Sequence, residues 1–508
     1  MAENTALDVN QESLNVDIKV INLIPEDMAR RRCLMPLSIS RSMLTVAMVD
    51  PGDLFSLEDM RLHAGMAINP VYADKRTILK AINKYYRGAY LLEKTARAVS
   101  QTNFGLITGD RIPGGKLAQL TEQPPLVQLV DDIILEALHA DASDIHIEPE
   151  RDSTRVRYRV DGFLHTFSSL PKHLAVPVVS RIKILAEMDV TEKHEPQDGQ
   201  IIRMIGDEEV NLRVATFPTT NGEKVAIRII GKGASSIALN SSGLTEANFA
   251  LVKRLIARPS GLVLACGPTG CGKTSTLYSI LSLMNSDKVN IVTLEDPIEF
   301  DLPGVNQAKV LPKRGLTFAR GLRAILRQDP NVVMVGEIRD LETADLAIRA
   351  SLTGHMVLST LHTNDALGVI TRLIDMGFDE FLISSALSGV IAQRLVRTIC
   401  PNCRTEYTPT PEILESVGIV SSGGPTFYHG AGCEDCQHTG YKGRTGIYEV
   451  IYVNEALRQM ILRKAPEPDI RQALRDSGYA SMLEDGLDKV EQGITTLDEV
   501  LRETRASD

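Results

Sequence analysis

The chain has no tryptophan, and aromatic residues fill only 5% of its 508 positions. A module that stacks nucleic-acid bases interleaves aromatics with a basic stripe, whereas here 65 acidic residues outweigh 55 Lys and Arg, for a net charge of −10. That balance argues against a general nucleic-acid binder, which must neutralise phosphates. Long apolar runs are missing as well: nothing approaches the ~20 consecutive apolar residues of a membrane-spanning helix. The N-terminal stretch MAENTALDVNQES has neither the basic n-region nor the apolar h-region of a signal peptide, so a cytoplasmic location is expected. Cysteine is sparse, at seven residues. In a reducing compartment these are poor disulfide candidates, and any that cluster point to metal.

What is present is ordinary in bulk, with 43% hydrophobic and 24% charged residues, and the length suggests about three to four domains. The chain is organised around Gly261 to Ser275, GLVLACGPTGCGKTS. Its apolar start suits a buried strand, and Gly267, Gly272, Lys273 and Thr274 fit the phosphate-loop pattern G-x-x-x-x-G-K-[ST]. In that pattern glycines let consecutive backbone N–H groups curl around a polyphosphate, the lysine reaches the β/γ-phosphates and the hydroxyl holds Mg²⁺. Thr274 to Met284 reads as a helix whose N-terminus faces the anion. The candidate nucleotide site is the whole loop: Gly267, Pro268, Thr269, Gly270, Cys271, Gly272, Lys273, Thr274 and Ser275.

Around this centre the expected fold class is multidomain α/β. Val16 to Tyr86 reads as a small α/β unit, with strands at Met43 to Met48 and Ile68 to Ala73 and helices at Ser56 to Ala64 and Arg76 to Tyr86. Gln101 to Pro125, with Pro113, Gly114 and Gly115, reads as a linker. Leu126 to His139 is an amphipathic helix, followed by strands at Ile145 to Glu148, Arg155 to Val160, Gly199 to Met204, Val210 to Thr216 and Lys224 to Ile230, which predict an antiparallel sheet. Gly231 to Ser236 is a flexible joint into a third domain, where strands and helices alternate as a parallel sheet requires. Its strands Val289 to Leu294, Val332 to Val335 and Met356 to Ser359 end in Glu295, Asp296 and Glu299, in Gly336 and Glu337, and in Thr360, Leu361, His362, Thr363 and Asn364. Ligands bind beyond the carboxyl ends of such strands, so these clusters should converge. Cys400 and Cys403 (CPNC) with Cys433 and Cys436 (CEDC) suit a tetrahedral thiolate site. Cys33, Cys266 and Cys271 read as small packed residues. The tail from Asn454 is helical, and Thr496 with Glu499 reads as a capping box.

The segments GPTGCGKT at Gly267, TLEDPIE from Thr293 to Glu299, LRQDPNVVMVGEIRD from Leu326 to Asp340 and LTGHMVLSTLHTND from Leu352 to Asp365 resemble the four boxes of the secretion ATPase superfamily. These are the cytoplasmic hexameric motors of type II secretion and type IV pilus assembly. DASDIHIEP at Asp141 and the four-cysteine segment extend the likeness over nearly the whole chain, which looks most like the type II secretion branch. The resemblance implies an N-terminal docking domain over residues 1–100, a linker over 101–121 and a second, PAS-like sheet domain over 122–232. It further implies a RecA-like ATPase domain over 240–395, a four-cysteine zinc lobe over 396–452 and a C-terminal helical subdomain over 453–508. ATP, Mg²⁺ and Zn²⁺ are the implied cofactors. The implied partners are five further copies in a homo-hexamer, the cytoplasmic domain of the inner-membrane L component and the F component platform, with peripheral attachment to the inner membrane and no nucleic acid.

Carried over by position, Lys273 and Thr274 bind nucleotide and Mg²⁺, and Glu295, Glu299 and Glu337 divide the work of polarising water and organising metal. His355 and His362 match the histidine box as phosphate contacts, with a backbone-satisfied structural role as the alternative for His355. Arg213 and Arg228 fall where the family places arginines that reach the nucleotide, the alternative being sheet-surface arginines paired with a carboxylate. The resemblance departs from generic phosphate-loop ATPases in ending the Val332 to Val335 strand with Gly336-Glu337 instead of an aspartate. No N-terminal module of the kind that binds cyclic di-GMP in some relatives is evident, and that ligand is not predicted. The implied function is ATP hydrolysis driving pseudopilus assembly and protein export, with pilus extension as the rival reading.

Overall fold

The structure is a computed structural model that describes residues 26–40, 43–85, 121–205, 208–230, 242–410, 426–433 and 439–505, with Leu14, Val20, Leu23, Ile24, Leu239, Asp435 and Cys436 besides. Residues 101–120 of the expected linker and the joint over residues 231–236 lie outside the described residues, while Pro124 and Pro125, read as the end of the linker, open a helix instead, since proline is tolerated in a first turn. The chain divides into two units, Met1–Ile230 and Gly231–Asp508.

The first unit opens with α1 (Glu26–Arg32), β1 (Leu34–Ser40), β2 (Met43–Met48), α2 (Leu54–Ala64), β3 (Ala67–Tyr72) and α3 (Lys75–Tyr85). The strands form one sheet, antiparallel between β1 and β2 and parallel between β2 and β3. Asp53 caps α2 by accepting from the N–H groups of Phe55 and Ser56. β1 escaped sequence reading because Pro36 interrupts it. Proline is tolerated on this edge strand, where the register slips between Pro36 and Ser38.

There follow α4 (Pro124–His139), β4 (Asp144–Pro149), β5 (Ser153–Val160), β6 (Phe163–Pro171), α5 (Ala175–Leu185), β7 (Gln197–Ile205), β8 (Glu208–Thr219) and β9 (Gly222–Ile230). The sheet is wholly antiparallel in the order β6-β5-β4-β9-β8-β7. Leu126, Leu129, Val130, Ile133, Ile134 and Ala137 recur at the helical period and pack α4 on the inward residues of β4, β5, β8 and β9. Edge strand β6 was not foreseen because its largely exposed residues show no alternation.

The second unit runs α6 (Glu246–Ile256), β10 (Gly261–Cys266), α7 (Lys273–Met284), β11 (Ile291–Glu295), β12 (Asn306–Lys309), α8 (Phe318–Ile325), β13 (Val332–Val335), α9 (Leu341–Leu352), β14 (Met356–Leu361), α10 (Leu367–Asp375), α11 (Glu380–Ala386) and β15 (Leu387–Ile399). Then come β16 (Arg404–Tyr407), β17 (Phe427–Gly430), β18 (Tyr441–Tyr452), α12 (Glu455–Leu462), α13 (Glu467–Asp476), α14 (Met482–Glu491) and α15 (Leu497–Arg505). The seven-stranded sheet has the order β12-β11-β13-β14-β10-β15-β18, parallel throughout except for the antiparallel pair β15 and β18. Every residue of β10 is buried: Leu262, Leu264 and Cys266 enter the core on one face, Val263 and Ala265 that on the other. Burial on both faces explains why β15, LSGVIAQRLVRTI, lacked a readable period.

Thr496 caps α15 by accepting from the Glu499 N–H at 3.3 Å, but the reciprocal half of the expected capping box is absent. The Glu499 carboxylate instead takes the Arg397 N–H at 3.0 Å and the Arg397 guanidinium at 2.7 Å, because tertiary packing offers a charged partner that the helix start cannot. A reciprocal box occurs one helix earlier, between Ser481 and Glu484 of α14.

Asp485 and Lys489 of α14 form an ion pair with side chains only 1% and 4% exposed. Asp485 also accepts from the Tyr448 N–H at 2.9 Å and the Asn248 amide at 3.3 Å, joining α14, β18 and α6. Asp485→Ala should therefore destabilise the second unit by about 3–5 kcal/mol, since Lys489 is left buried without its carboxylate. Urea unfolding monitored by circular dichroism will measure this, and replacing both residues with apolar ones should cost clearly less.

Candidate active site

The phosphate loop leaves β10 at Cys266 and enters α7 at Lys273. Gly267 has φ 142°, and a Cβ there would stand 2.6 Å from the Gln393 carbonyl oxygen. Gly272 has φ 90°, and a Cβ there would meet the Gln393 side-chain nitrogen at 2.6 Å. Glycine is thus required at both positions by conformation and by contact with β15. Lys273 is 8% exposed, and its ammonium donates to the Gly267 and Pro268 carbonyls at 2.8 Å each. Burial lowers its pKa, and the Arg394 charge nearby adds to that shift. Thr274 and Ser275 open α7 beside it.

The register of the sheet brings the remaining boxes to the same edge. Cys266 lies opposite Leu361 of β14 and Ala392 of β15, while Val335 of β13 lies between Leu294 and Ser359. The Gly336 N–H donates to the Leu294 carbonyl at 2.8 Å, and the Thr360 hydroxyl donates to the Gly336 carbonyl at 2.8 Å. Those bonds tie the strand ends and set His362 Nε2 3.5 Å from a Glu337 carboxylate oxygen, whose other oxygen pairs with Arg339.

Glu295 sits differently. It is 2% exposed, and its carboxylate accepts from the Tyr278 hydroxyl, from the Thr293 hydroxyl at 2.5 Å and from the Gln307 amide at 3.1 Å. Burial followed by the Glu295 hydrogen bond pushes the Tyr278 hydroxyl pKa up, so Tyr278 stays a donor. Glu299 follows on the same segment, and its N–H reaches the Tyr278 oxygen at 3.3 Å. His355 has the backbone contact of its alternative, structural reading. It precedes β14, at the end of the sheet away from the phosphate loop, and its Nδ1 lies 3.0 Å from the Ala350 carbonyl at the close of α9.

Arg213 and Arg228 face each other across β8 and β9 on the sheet side opposite α4. Arg228 pairs with Asp144 at 3.2 Å, and Arg213 is exposed. Sequence reading missed Gln393 and Arg394, two buried polar residues inside β15. Gln393 accepts from the Thr276 hydroxyl at 2.6 Å, and Arg394 donates to the Asn364 carbonyl at 2.7 Å. The one available signal was a polar pair interrupting a long apolar run.

The sulfurs of Cys400, Cys403, Cys433 and Cys436 all lie within 4.8 Å of one another. The separations Cys400 to Cys433, Cys403 to Cys436 and Cys433 to Cys436 are 3.7, 3.8 and 3.7 Å. A tetrahedron of Zn–S bonds near 2.3 Å has edges of about 3.8 Å, so the donor set fits that ion. Burial opposes ionisation of Cys436, but the N–H groups of Cys433 and Gly440 donate to its sulfur and bring the thiol down to about 6.

The family profile described as type II/IV secretion system protein matches residues 119–502. A second profile, the MshEN domain, matches residues 5–89, over the small α/β unit that the sequence suggests at Val16 to Tyr86. The type II secretion system ATPase E of Vibrio cholerae is 48% identical over 391 residues, covering 77% of this chain and 78% of that protein. The type IV pilus assembly ATPase PilB of Myxococcus xanthus is 38% identical over 506 residues, covering 98% of this chain and 88% of that protein. Among solved structures, the pilus retraction motor PilT with bound ADP superposes with a TM-score of 0.51 at 28% identity, covering 73% of this chain and 96% of its own. Among the described residues no helix is long and apolar enough to cross a membrane.

Gly267→Ala should displace the phosphate loop, because neither φ 142° nor the 2.6 Å approach to the Gln393 carbonyl admits a methyl group. Strain of about 1–3 kcal/mol placed on the binding conformation translates to roughly 5- to 150-fold weaker ATP binding. Equilibrium titration with a fluorescent ATP analogue will measure it, with circular dichroism checking that the fold persists.

Proposed function

The chain belongs to the type II/IV secretion system protein family and is an ATP-hydrolysing enzyme, and from that premise we propose that its hydrolysis drives pseudopilus assembly and protein export by type II secretion. The observation that carries the reading is the convergence, at one edge of a parallel sheet, of a phosphate loop with Glu295, Glu337 and His362. Lys273 would hold the β/γ-phosphates, and Thr274 with Glu337 would hold Mg²⁺, which neutralises charge developing on the transferring phosphoryl group. Glu337 and His362 would orient water and sense the γ-phosphate. Glu295, with Glu299 beside it, would act from a fixed position set by Tyr278, Thr293 and Gln307.

The motor works as a homo-hexamer at the inner membrane, attached through the L component cytoplasmic domain and the F component platform. Arg213 and Arg228 supply positive charge to the nucleotide on assembly, where an added arginine is worth ~10³ to 10⁵ in rate in related enzymes. The zinc lobe is a structural staple: Cys400, Cys403, Cys433 and Cys436 would occupy all four positions and leave none for catalytic water.

Lys273→Ala should bind ATP at least tenfold more weakly and lose turnover, whereas Glu337→Gln should bind ATP and barely hydrolyse it. Phosphate release and nucleotide binding assays check the pair, and equal loss of both properties in Glu337→Gln would move that residue to a structural role. In cells, Lys273→Ala should stop export of secreted proteins and spare surface pili. Loss of pili with export intact would instead favour the pilus-extension reading.

Elemental analysis of protein purified without chelator should find about one Zn²⁺ per chain, lost in Cys433→Ser. Finding none would remove the zinc assignment without touching the ATPase reading.

A further inference from the structure

Arg394 lies in the middle of β15 and is 5% exposed, yet among the described residues no carboxylate pairs with it. Among the described residues its guanidinium donates only to backbone oxygens: the Asn364 carbonyl at 2.7 Å and the Gln393 carbonyl at 3.2 Å. The first belongs to the histidine-box loop, two residues beyond His362. The second faces Gly267 of the phosphate loop, and a Cβ built there would stand 3.1 Å from an Arg394 nitrogen. The planar fork is thus bonded to the histidine-box loop and to its own strand, with one nitrogen set against Gly267 of the phosphate loop. Lys273, also buried, feels the same positive charge. Two buried cations without a paired carboxylate are costly unless an anion accompanies them.

We propose that Arg394 is a positioning residue for catalysis, coupling the phosphate loop to the histidine-box loop and drawing its missing counter-charge from the bound polyphosphate. The inference rests on the phosphate-loop reading above and adds a residue that no catalytic box contains. Arginine suits the place because its rigid fork reaches two carbonyls at once, whereas lysine offers a single point charge. Two roles are separable on this account: long-range charge, which contributes to nucleotide affinity, and bridging of the loops, which contributes to turnover by fixing His362 relative to Lys273.

The test uses the full-length chain as wild type, Arg394→Gln, Arg394→Lys and Lys273→Ala, each followed by thermal melting with and without MgATP, by equilibrium binding of ATP and by phosphate release. Arg394→Gln should lose most of the ATP-induced rise in melting temperature, with Kd raised roughly tenfold, as for loss of one charge-assisted interaction. Arg394→Lys should keep ATP affinity within about threefold of wild type while kcat falls roughly tenfold or more, since a misplaced group is enough for such a loss. Arg394→Gln that melts lower without nucleotide but keeps a wild-type ATP response would make Arg394 a purely structural arginine and overturn the proposal. So would Arg394→Lys with wild-type kcat, which decides the matter even where the glutamine variant does not fold. A wild-type chain showing no ATP-induced shift that Lys273→Ala abolishes would instead defeat the phosphate-loop reading itself.

Discussion

The site depends on how β10 is paired. Strand β10 lies between β14 and β15, with Cys266 level with both Leu361 and Ala392. Gly267 and His362 therefore leave their strands at the same height, level with Gln393 inside β15. In a parallel sheet such a row forms only when the crossover connections return each strand in one direction, because carboxyl ends then gather on a single edge. A slip of one residue in β14 would send His362 to the other face and remove it from Glu337. The phosphate loop itself rests on β15, where Gln393 leaves room for a hydrogen atom and nothing larger at Gly267 and Gly272.

The acidic groups at that edge are held with unequal stiffness. Glu295 is saturated by Tyr278, Thr293 and Gln307 inside the fold, so its position is set by packing and its freedom is small. Glu337 is bound by Arg339 and the exposed His362, groups that water can reach. A pair of carboxylates held so differently can divide fixed orientation from movement during a cycle. Beneath them, Cys266 donates to the Asp365 carbonyl at 3.3 Å, and Asp365 pairs with Arg471 of α13 at 2.6 Å. The histidine-box loop is thereby tied to the C-terminal helices as well as to the sheet.

In the first unit the antiparallel register generates a charged row. Arg159, Asp144, Arg228 and Arg213 stand opposite one another on successive strands β5, β4, β9 and β8, all on the side away from α4. The alternation that buries Ile145, Ile227, Leu212 and Val214 forces their neighbours onto this open face. Three arginines against one aspartate leave it positive, although the chain as a whole is acidic.

Sequence alone determined the elements whose signals are local. The phosphate loop, the strand Val332–Val335, the helix ending at His139 and the paired cysteines were legible because glycine spacing, apolar runs, helical period and C-x-x-C pairs each act within a few residues. Tertiary structure decided what depends on distant partners. β1 and β6 are edge strands whose patterns fade without a second neighbour, and β15 is buried on both faces, so its sequence has no period to read. Glu499 left its expected cap for Arg397, 102 residues away, because a charged donor inside the fold outcompetes a backbone N–H at a helix start. His355 and His362 look alike in a motif seven residues apart, yet β14 runs between them and carries them to opposite ends of the sheet. Arg394 showed in the sequence only as half of a polar pair interrupting an apolar run, since it is the packing of β15 under two loops from other strands that puts its guanidinium beside both.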